Sequence, residues 1–222
     1  MSINDKKIRL TKGKGKELSL RMYNGVLCGT LLYGLVVNFI LCLTVKDITQ
    51  YMDPVLFILS YFVLTLIGII ISKVSDNAFV SFIGYNMVVV PVGLVVSFFV
   101  DLYGGISSDV VTDAFLITTC ITAGMTILGI TKPEFWSRLG RLLFVSLIGL
   151  LIAEVFLLLI GHNNIATSWI AAIIFSFYIA YDVYRSQQYR KTLDNAVDSA
   201  MDIYVDVANL FLSIMEILGK RN

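Results

Sequence analysis

Charged residues are scarce in this sequence. Of its 222 residues, 15% are Asp, Glu, Lys or Arg and 57% are hydrophobic, and the mean hydropathy is +0.82. Soluble domains have about 25% charged and 45–50% apolar residues. The net charge of +1 gives no indication of a polyanion partner, so nucleic acid binding is not expected. The composition is that of a polytopic membrane protein.

Residues that carry metal or redox chemistry are equally few. The chain has three cysteines and one histidine. Cys28, Cys42 and Cys120 fall inside apolar runs without ligand spacing, and we expect them to be small buried hydrophobic residues. His162 stands alone in "GHNN", where a solvated side chain is expected. No glycine-rich phosphate loop or His/Cys cluster is present. The sequence therefore predicts no cofactor and no enzyme activity.

Windows of about 20 apolar residues predict membrane-spanning helices, and no window alternates like a barrel strand. The fold class expected is all-α, with a basic, flexible cytosolic tail at 1–20 and one seven-helix transmembrane domain at 21–222. The predicted spans are 24–45, 54–72, 79–101, 112–131, 140–161, 165–184 and 196–219.

The distribution of Lys and Arg predicts the orientation. Fourteen of them fall in the amino-terminal tail and in the loops that share its side, whereas the opposite loops hold only Lys46. The amino terminus is therefore predicted to be cytosolic. Lys220 and Arg221 would lie outside after seven crossings, so a last helix that re-enters without crossing stays open at this stage.

The seventh span carries a polar stripe. At about 100° per residue its polar side chains fall within roughly a quarter turn. A carboxylate facing lipid at the bilayer centre costs on the order of 3 kcal/mol, so the stripe is expected to face protein or water. The residues of the stripe are Asp198, Asp202, Asp206, Asn209, Ser213 and Glu216.

Ordinary structural roles explain part of this stripe. Asp194 and Asp198 fall near the helix start, where acids favour the positive end of the dipole and cap free amides. Glu216 precedes Lys220 by one helical turn, and a surface ion pair is as good an explanation as a pore role. Asp206 lies too deep for either role and is the strongest functional candidate.

A buried acid needs a partner, and few other spans supply one. Asp182 lies near the cytosolic end of the sixth span, three residues before Arg185, and Lys73 ends the second span on the same side. Glu154 is a second deep acid, isolated among aliphatic residues. Threonines of the fourth span are expected to bond to backbone carbonyls of their own helix; they are Thr118, Thr119, Thr122 and Thr126.

Two segments carry a resemblance to a known family. "FSFYIAYDVYR" followed by "AMDIYVDVANLFLSIMEILG" resembles the carboxy-terminal signature of the Bax inhibitor-1 family, in its bacterial form. "SFIGYNMVVVPVGLVVS" and "DAFLITTCITAGMTILGITKPEF" resemble the third and fourth helices of that family more weakly. The resemblance covers nearly the whole chain after about residue 20.

The resemblance implies a fold in which the last helix is wrapped by the other six, and a pH-sensitive calcium leak across the membrane. Asp182 and Asp206 match the paired aspartates of the family, its proton sensor, and would contact Ca²⁺ transiently as it passes. Candidates for the cation pathway are Asp202, Asn209, Glu154 and Glu216. Where relatives carry an arginine-rich latch, "IIISKVSDN" offers only Lys73, a point charge without the bidentate fork of arginine; Arg185 is the other latch candidate.

Electrostatics explains how such a pair would respond to pH. Two carboxylates about 4 Å apart repel by about 4 kcal/mol at an effective dielectric near 20. The pair is expected to hold one proton and to titrate as a unit. With the proton the two side chains tie the sixth span to the seventh, and without it they repel. The predicted partners are calcium ions, protons and membrane lipid.

Three other functions stay open on the sequence alone. A proton-coupled cation exchanger would use the same deep carboxylates. An intramembrane aspartyl protease would also pair two aspartates, but the second half of its signature reads Ile-Tyr-Val-Asp here. A scaffold that binds other membrane proteins could use the basic tail, which could equally bind anionic lipid. The bacterial plasma membrane is the predicted location.

Overall fold

The computed structural model describes residues 16–45, 54–160 and 165–220. Those three ranges contain seven α-helices and no strand, so the all-α fold class is as predicted. His162 and residues 1–15 of the predicted tail lie outside the described residues. The helices are α1 (Leu20–Thr44), α2 (Pro54–Val74), α3 (Ala78–Leu102), α4 (Asp109–Thr131), α5 (Pro133–Leu159), α6 (Ile165–Gln188) and α7 (Leu193–Gly219).

Most helices begin earlier than the apolar windows predict, because polar residues start them. The side chains of Ser19, Asn77, Ser108 and Thr192 each accept a hydrogen bond from a backbone N–H of the first turn. Such N-caps satisfy amides that have no partner inside the helix. The largest difference is in α5, which begins at Pro133 rather than 140, consistent with the preference of proline for the first helical turn.

The outer surface of the bundle is apolar. Five helices are long and apolar enough to cross a membrane, and α2 contributes a shorter apolar stretch, Ser60–Val74. Large hydrophobic side chains such as Phe62, Phe115 and Ile152 are more than 60% exposed. A surface of this kind is stable only in lipid. The chain is therefore an integral membrane protein.

The remaining helix, α7, lies at the centre of the bundle. It packs against α1, α3, α4 and α6, whereas α2 packs mainly on α3 and α5 mainly on α6. The predicted central position of the last helix is thus found, with four helices around it directly and two in an outer layer. Burial explains how α7 tolerates its acids, because Asp194, Asp198 and Asp206 are each less than 9% exposed.

Helix α7 crosses the whole bundle beside α3. At its start Asp194 accepts a hydrogen bond from Ser81 in the first turn of α3, and at its end Gly219 packs on the ring of Tyr103, just beyond α3. The last helix therefore runs the full length of α3 and does not turn back within the bundle. We call the end where α1, α3, α5 and α7 begin the amino-terminal end of the bundle, and the other the opposite end.

Close helix packing brings α2 within reach of α7 at the amino-terminal end. A Cβ atom on Gly84 of α3 would lie 2.6 Å from the carbonyl oxygen of Gly68 and 2.9 Å from the backbone nitrogen of Ser72. Only glycine fits at such a distance. The close approach allows the last residues of α2 to contact α7.

The cysteines depart from their predicted environment. Cys28 and Cys120 are exposed on the outer surface and Cys42 is partly buried, so the prediction of buried cysteines is wrong for two of the three. Lipid tails are as apolar as a protein interior. An apolar run in a membrane helix therefore does not show which of its residues face the core.

Candidate functional site

Two buried carboxyl groups meet between α6 and α7 in the amino-terminal half of the bundle. Asp182 is 8% exposed and Asp206 is 6% exposed, and each carboxyl group lies within electrostatic range of the other. A carboxylate only accepts hydrogen bonds, so a bond between two such groups requires a proton on one of them. The Oδ2 atom of Asp206 is buried and accepts no hydrogen bond from a donor group among the described residues.

Arg185 neutralises one member of this pair from within α6. Its Nη1 atom lies 2.9 Å from Asp182 Oδ1, and both side chains are at most 16% exposed. The guanidinium also lies over the rings of Tyr181 and Tyr189, 5.4 and 5.6 Å from their centroids. These stacked contacts fix the orientation of the arginine. Of the two candidate latch residues, Arg185 therefore binds an acid of its own helix.

Lys73, the other latch candidate, connects α2 to α7. Its Nζ atom lies 2.5 Å from Asp202 Oδ1, with 30% and 18% of the two side chains exposed. The ion pair is close enough to Asp182 for Lys73 and Asp202 to contribute to its electrostatic environment. Three acids and two bases thus form one charged cluster, made of Asp182, Asp202, Asp206, Lys73 and Arg185.

The two acids nearest the start of α7 bind hydroxyl groups of neighbouring helices. Ser81 Oγ of α3 donates to Asp194 Oδ1 at 2.6 Å, and Ser72 Oγ of α2 donates to Asp198 Oδ1. Asp194 lies in the first turn, as predicted, but Thr192 supplies the N-cap. The sequence reasoning missed both serines, since a serine in an apolar helix gives no sign of which helix lies opposite.

A tyrosine of α1 organises the loop between α6 and α7. The Tyr23 hydroxyl lies 3.1 Å from the Ser186 carbonyl oxygen, 3.3 Å from that of Asn195 and 3.1 Å from Ser199 Oγ. Lys191 Nζ lies 4.7 Å from the ring centroid of Tyr23 and donates to the carbonyl of Ser186 at 3.1 Å. Burial lowers the pKa of Lys191. The sequence reasoning did not identify this contact.

The segment before α1 adds to the same loop. The backbone N–H of Leu18 donates to the carbonyl of Lys191 at 2.7 Å, and Arg190 Nε lies 3.1 Å from Glu17 Oε1. We call Glu17, Leu18 and Tyr23, with the loop residues Arg190 and Lys191, the loop clamp. It holds the connection between the two helices that carry Asp182 and Asp206.

Two of the candidate pathway residues lie at the opposite end. Glu216 forms an ion pair with Lys220 at 2.6 Å. Burial, and to a smaller extent the charge of Glu216, raises the pKa of Tyr103. Glu154 is exposed on α5 and lies within electrostatic range of Glu216. The structure therefore does not bring Glu154 or Glu216 to the charged cluster. Asn209, one turn beyond Asp206, donates to the carbonyl of Val205 of its own helix at 2.8 Å.

The acids of the described residues do not form a closed metal site. No group of three or more His, Cys, Asp or Glu side chains converges on one point within the ranges described. Calcium prefers six to eight oxygen ligands. The pair of Asp182 and Asp206 supplies at most four, and Arg185 occupies one of these.

Comparison with known proteins agrees with this architecture. Residues 16–222 match the family model described as inhibitor of apoptosis-promoting Bax1. An uncharacterized protein of Campylobacter jejuni is 33% identical over 121 residues, which are 54% of this chain and 50% of that protein. An uncharacterized membrane protein of Streptococcus pyogenes is 30% identical over 138 residues, 59% of each chain. The chain thus spans about half the length of the curated relatives it matches.

The family match covers all seven helices and both members of the aspartate pair. The resemblance seen in the carboxy-terminal signature therefore extends over the whole bundle. The chain belongs to the Bax inhibitor-1 family.

Proposed function

We propose that this protein is a pH-sensitive calcium leak of the bacterial plasma membrane, with its amino terminus in the cytosol and the Asp182–Asp206 pair as its gate. The observation that supports the proposal is the burial of two carboxyl groups within electrostatic range of each other, one on each of two adjacent helices. Calcium ions and protons are the transported and sensed species. The proposal is for a membrane protein without enzyme activity.

The charge of the surrounding cluster supports a switch by a single proton. With one proton on the pair, two negative groups face the two positive groups Lys73 and Arg185, and the cluster is neutral. Loss of that proton leaves one uncompensated negative charge away from bulk water, next to Asp202. Carboxylates about 4 Å apart repel by about 4 kcal/mol at an effective dielectric near 20. Tyr178 also faces the pair and supplies no compensating charge.

Repulsion within the pair would separate α6 from α7. These two helices pack along their lengths and meet at the loop clamp, so a change at Asp182 and Asp206 acts on the amino-terminal half of the bundle. The proton-bound pair is the closed state, and the ionised pair is the open state. Calcium flux is therefore expected to rise as the pH rises. A leak also requires weak binding, which agrees with the small number of carboxylate oxygens at the pair.

Calcium flux into liposomes reconstituted with the purified protein tests the proposal. Wild-type flux is expected to increase between pH 6 and 8, whereas Asp206→Asn and Asp182→Asn are expected to give low flux with no pH dependence, because an amide neither ionises nor repels its neighbour. Glu134→Gln, exposed in the first turn of α5, is the matched control and should keep the wild-type profile. Unchanged profiles in both aspartate variants would refute the gate.

Proton movement measured in the same vesicles separates a leak from an exchanger. A leak carries calcium down its gradient without a fixed number of protons moving the other way. A constant proton-to-calcium ratio at every pH would instead assign the protein to proton-coupled exchange, since deep carboxylates alternate between proton and cation in such transporters.

A further inference from the structure

Several buried hydroxyl groups of α4 and α6 have no hydrogen-bond partner among the described residues. They are Thr118 Oγ1, Thr122 Oγ1 and Ser168 Oγ. The sequence predicts that the threonines of α4 bond to carbonyls of their own helix, and Thr119 does so, donating to Phe115 at 2.8 Å. For Thr118 and Thr122 that prediction is wrong.

Unpaired hydroxyl groups in an apolar interior are unfavourable. Each costs about 1–3 kcal/mol when no partner is present, and such groups in native proteins usually bind ordered water or an ion. Inside a membrane protein, polar side chains face other protein groups or a water-filled cavity. Thr118 is 5% exposed and Ser168 is 3% exposed, so neither reaches lipid headgroups or bulk solvent directly.

These hydroxyl groups lie at successive depths between the opposite end of the bundle and Asp206. At 1.5 Å per residue, Ser168 lies about 5 Å from the start of α6, Thr118 about 14 Å from the start of α4, and Thr122 about 20 Å from that start. Asp206 lies about 20 Å from the end of α7. Helix α4 packs against both α6 and α7, so the three hydroxyl groups lie on two adjacent helices beside α7. At the inner end of this series is Asp206, whose buried Oδ2 atom accepts no hydrogen bond from a donor group among the described residues.

We propose that α4, α6 and α7 enclose a narrow hydrated path from the opposite end of the bundle to Asp206, lined by the hydroxyl groups of Ser168, Thr118 and Thr122. Water in the path satisfies these hydroxyls and connects Asp206 to the solution at that end. Hydroxyl oxygens can replace part of the hydration shell of a cation. The path therefore admits protons and partly dehydrated cations. The path itself is inferred from the hydroxyl groups, and only the identification of the cation as calcium rests on the proposed function.

Cysteine accessibility tests the path without reference to transport. In a protein with Cys28, Cys42 and Cys120 replaced by alanine, single Thr118→Cys and Thr119→Cys variants are reconstituted in liposomes and treated with silver ions. Residue 119 is the matched control, because it follows 118 directly but is exposed on the outer surface. Modification of the cysteine is read as loss of subsequent labelling by a maleimide after denaturation.

The Thr118→Cys variant is expected to react at least tenfold faster than Thr119→Cys, because silver ions travel through water and not through hydrocarbon. Ser168→Cys lies nearer the opposite end and should react with silver at least as fast as Thr118→Cys. It replaces Thr118→Cys in the comparison if that variant does not fold. Equal rates at 118 and 119, or protection of both 118 and 168, would refute the path.

Flux measurements then connect the path to transport. Thr118→Val keeps the shape of the side chain and removes its hydroxyl, and is expected to reduce calcium flux at pH 8 about tenfold, whereas Thr119→Val should leave the flux unchanged. Fast silver reaction with no wild-type calcium flux would support the path and refute the leak. Calcium flux with a protected residue 118 would support the leak and refute the path.

Discussion

At the scale of single residues, the ion pair between Lys73 and Asp202 connects the outer layer of helices to the centre. Lys73→Met is expected to lower the melting temperature in detergent by a few degrees, because a part-buried pair contributes about 1 kcal/mol and 1 kcal/mol shifts the midpoint of a chain of this length by about 2–4 °C. Thermal unfolding followed by circular dichroism provides the measurement.

The double variant Lys73→Met/Asp202→Asn shows whether the lost stability reflects an uncompensated charge. Removing one partner of a buried pair leaves the other without compensation, whereas removing both costs little. Most of the lost stability should therefore return in the double variant. A double variant less stable than Lys73→Met would show that Asp202 is stabilised by other groups.

Sequence reasoning identified the acids of the site but not what they bind. The polar stripe of α7 could be predicted because helical periodicity is fixed, and the deep position of Asp206 follows from its distance to either helix end. The serines that bind Asp194 and Asp198 could not, because periodicity does not reveal which helix lies opposite. Glu154 illustrates the same limit, since its isolation among aliphatic residues predicts a deep position along its helix but does not reveal that the structure places it on the exposed surface of α5.

At the scale of helices, the loop clamp controls how firmly α6 and α7 are joined. Tyr23→Phe removes the hydroxyl that contacts two carbonyl oxygens and Ser199, and leaving such groups unpaired costs about 1–3 kcal/mol. We expect trypsin to cleave after Arg190 and Lys191 at least fivefold faster in this variant, because local opening exposes the loop. Gel analysis of timed digests gives the rate.

The matched control for this prediction is Tyr33→Phe. The hydroxyl of Tyr33 also donates a hydrogen bond, to Asn86 Oδ1 at 2.7 Å, but on the exposed side of α1. The Tyr33→Phe variant should therefore leave the rate of tryptic cleavage in the loop unchanged. Similar acceleration in both variants would show a general loss of stability rather than release of the clamp.

The contact between α2 and α3 predicts a strong dependence on one glycine. Gly84→Ala would bring a Cβ atom to 2.6 Å from a backbone oxygen of α2, so the two helices must separate and Ser72 and Lys73 move away from α7. We expect a loss of stability of about 1–3 kcal/mol, as for other overpacked positions, seen as a lower melting temperature. Gly149→Ala, with no atom within 4 Å of the added Cβ, should be neutral or slightly stabilising.

At the scale of the whole molecule, we expect each of the seven helices to cross the membrane, which would place the amino-terminal and carboxy-terminal ends of the chain on opposite sides. Seven helices are present in the described ranges, and α7 extends as far as α3. A reporter active only in the cytosol should be active when fused to the amino terminus and inactive at the carboxyl terminus. Activity at both termini would contradict a full crossing by α7.

The number of helices and the central position of α7 could be predicted from the sequence better than which helices pack directly on α7. Composition and apolar windows gave seven helices, and the acids of α7 required that this helix be shielded from lipid. Which helices shield it directly depends on close contacts such as Gly84 against Gly68 and Gly129 against Ala180. Glycines within apolar helices occur in packed positions, as Gly84 and Gly129 show, and in exposed positions, as Gly25 and Gly149 show, so sequence alone does not distinguish the two.

The acidic character of α7 also bears on how the protein is made. On the scale for insertion by the translocon, each aspartate near the middle of a helix costs about 2.5–3.5 kcal/mol, so this segment would not partition into the bilayer unaided. It emerges from the ribosome after α1 to α6, whose exposed surfaces are apolar. Those six helices can therefore insert into the membrane first, and α7 can then insert between them. Asp182 and Asp206 come together only when this last step completes the bundle.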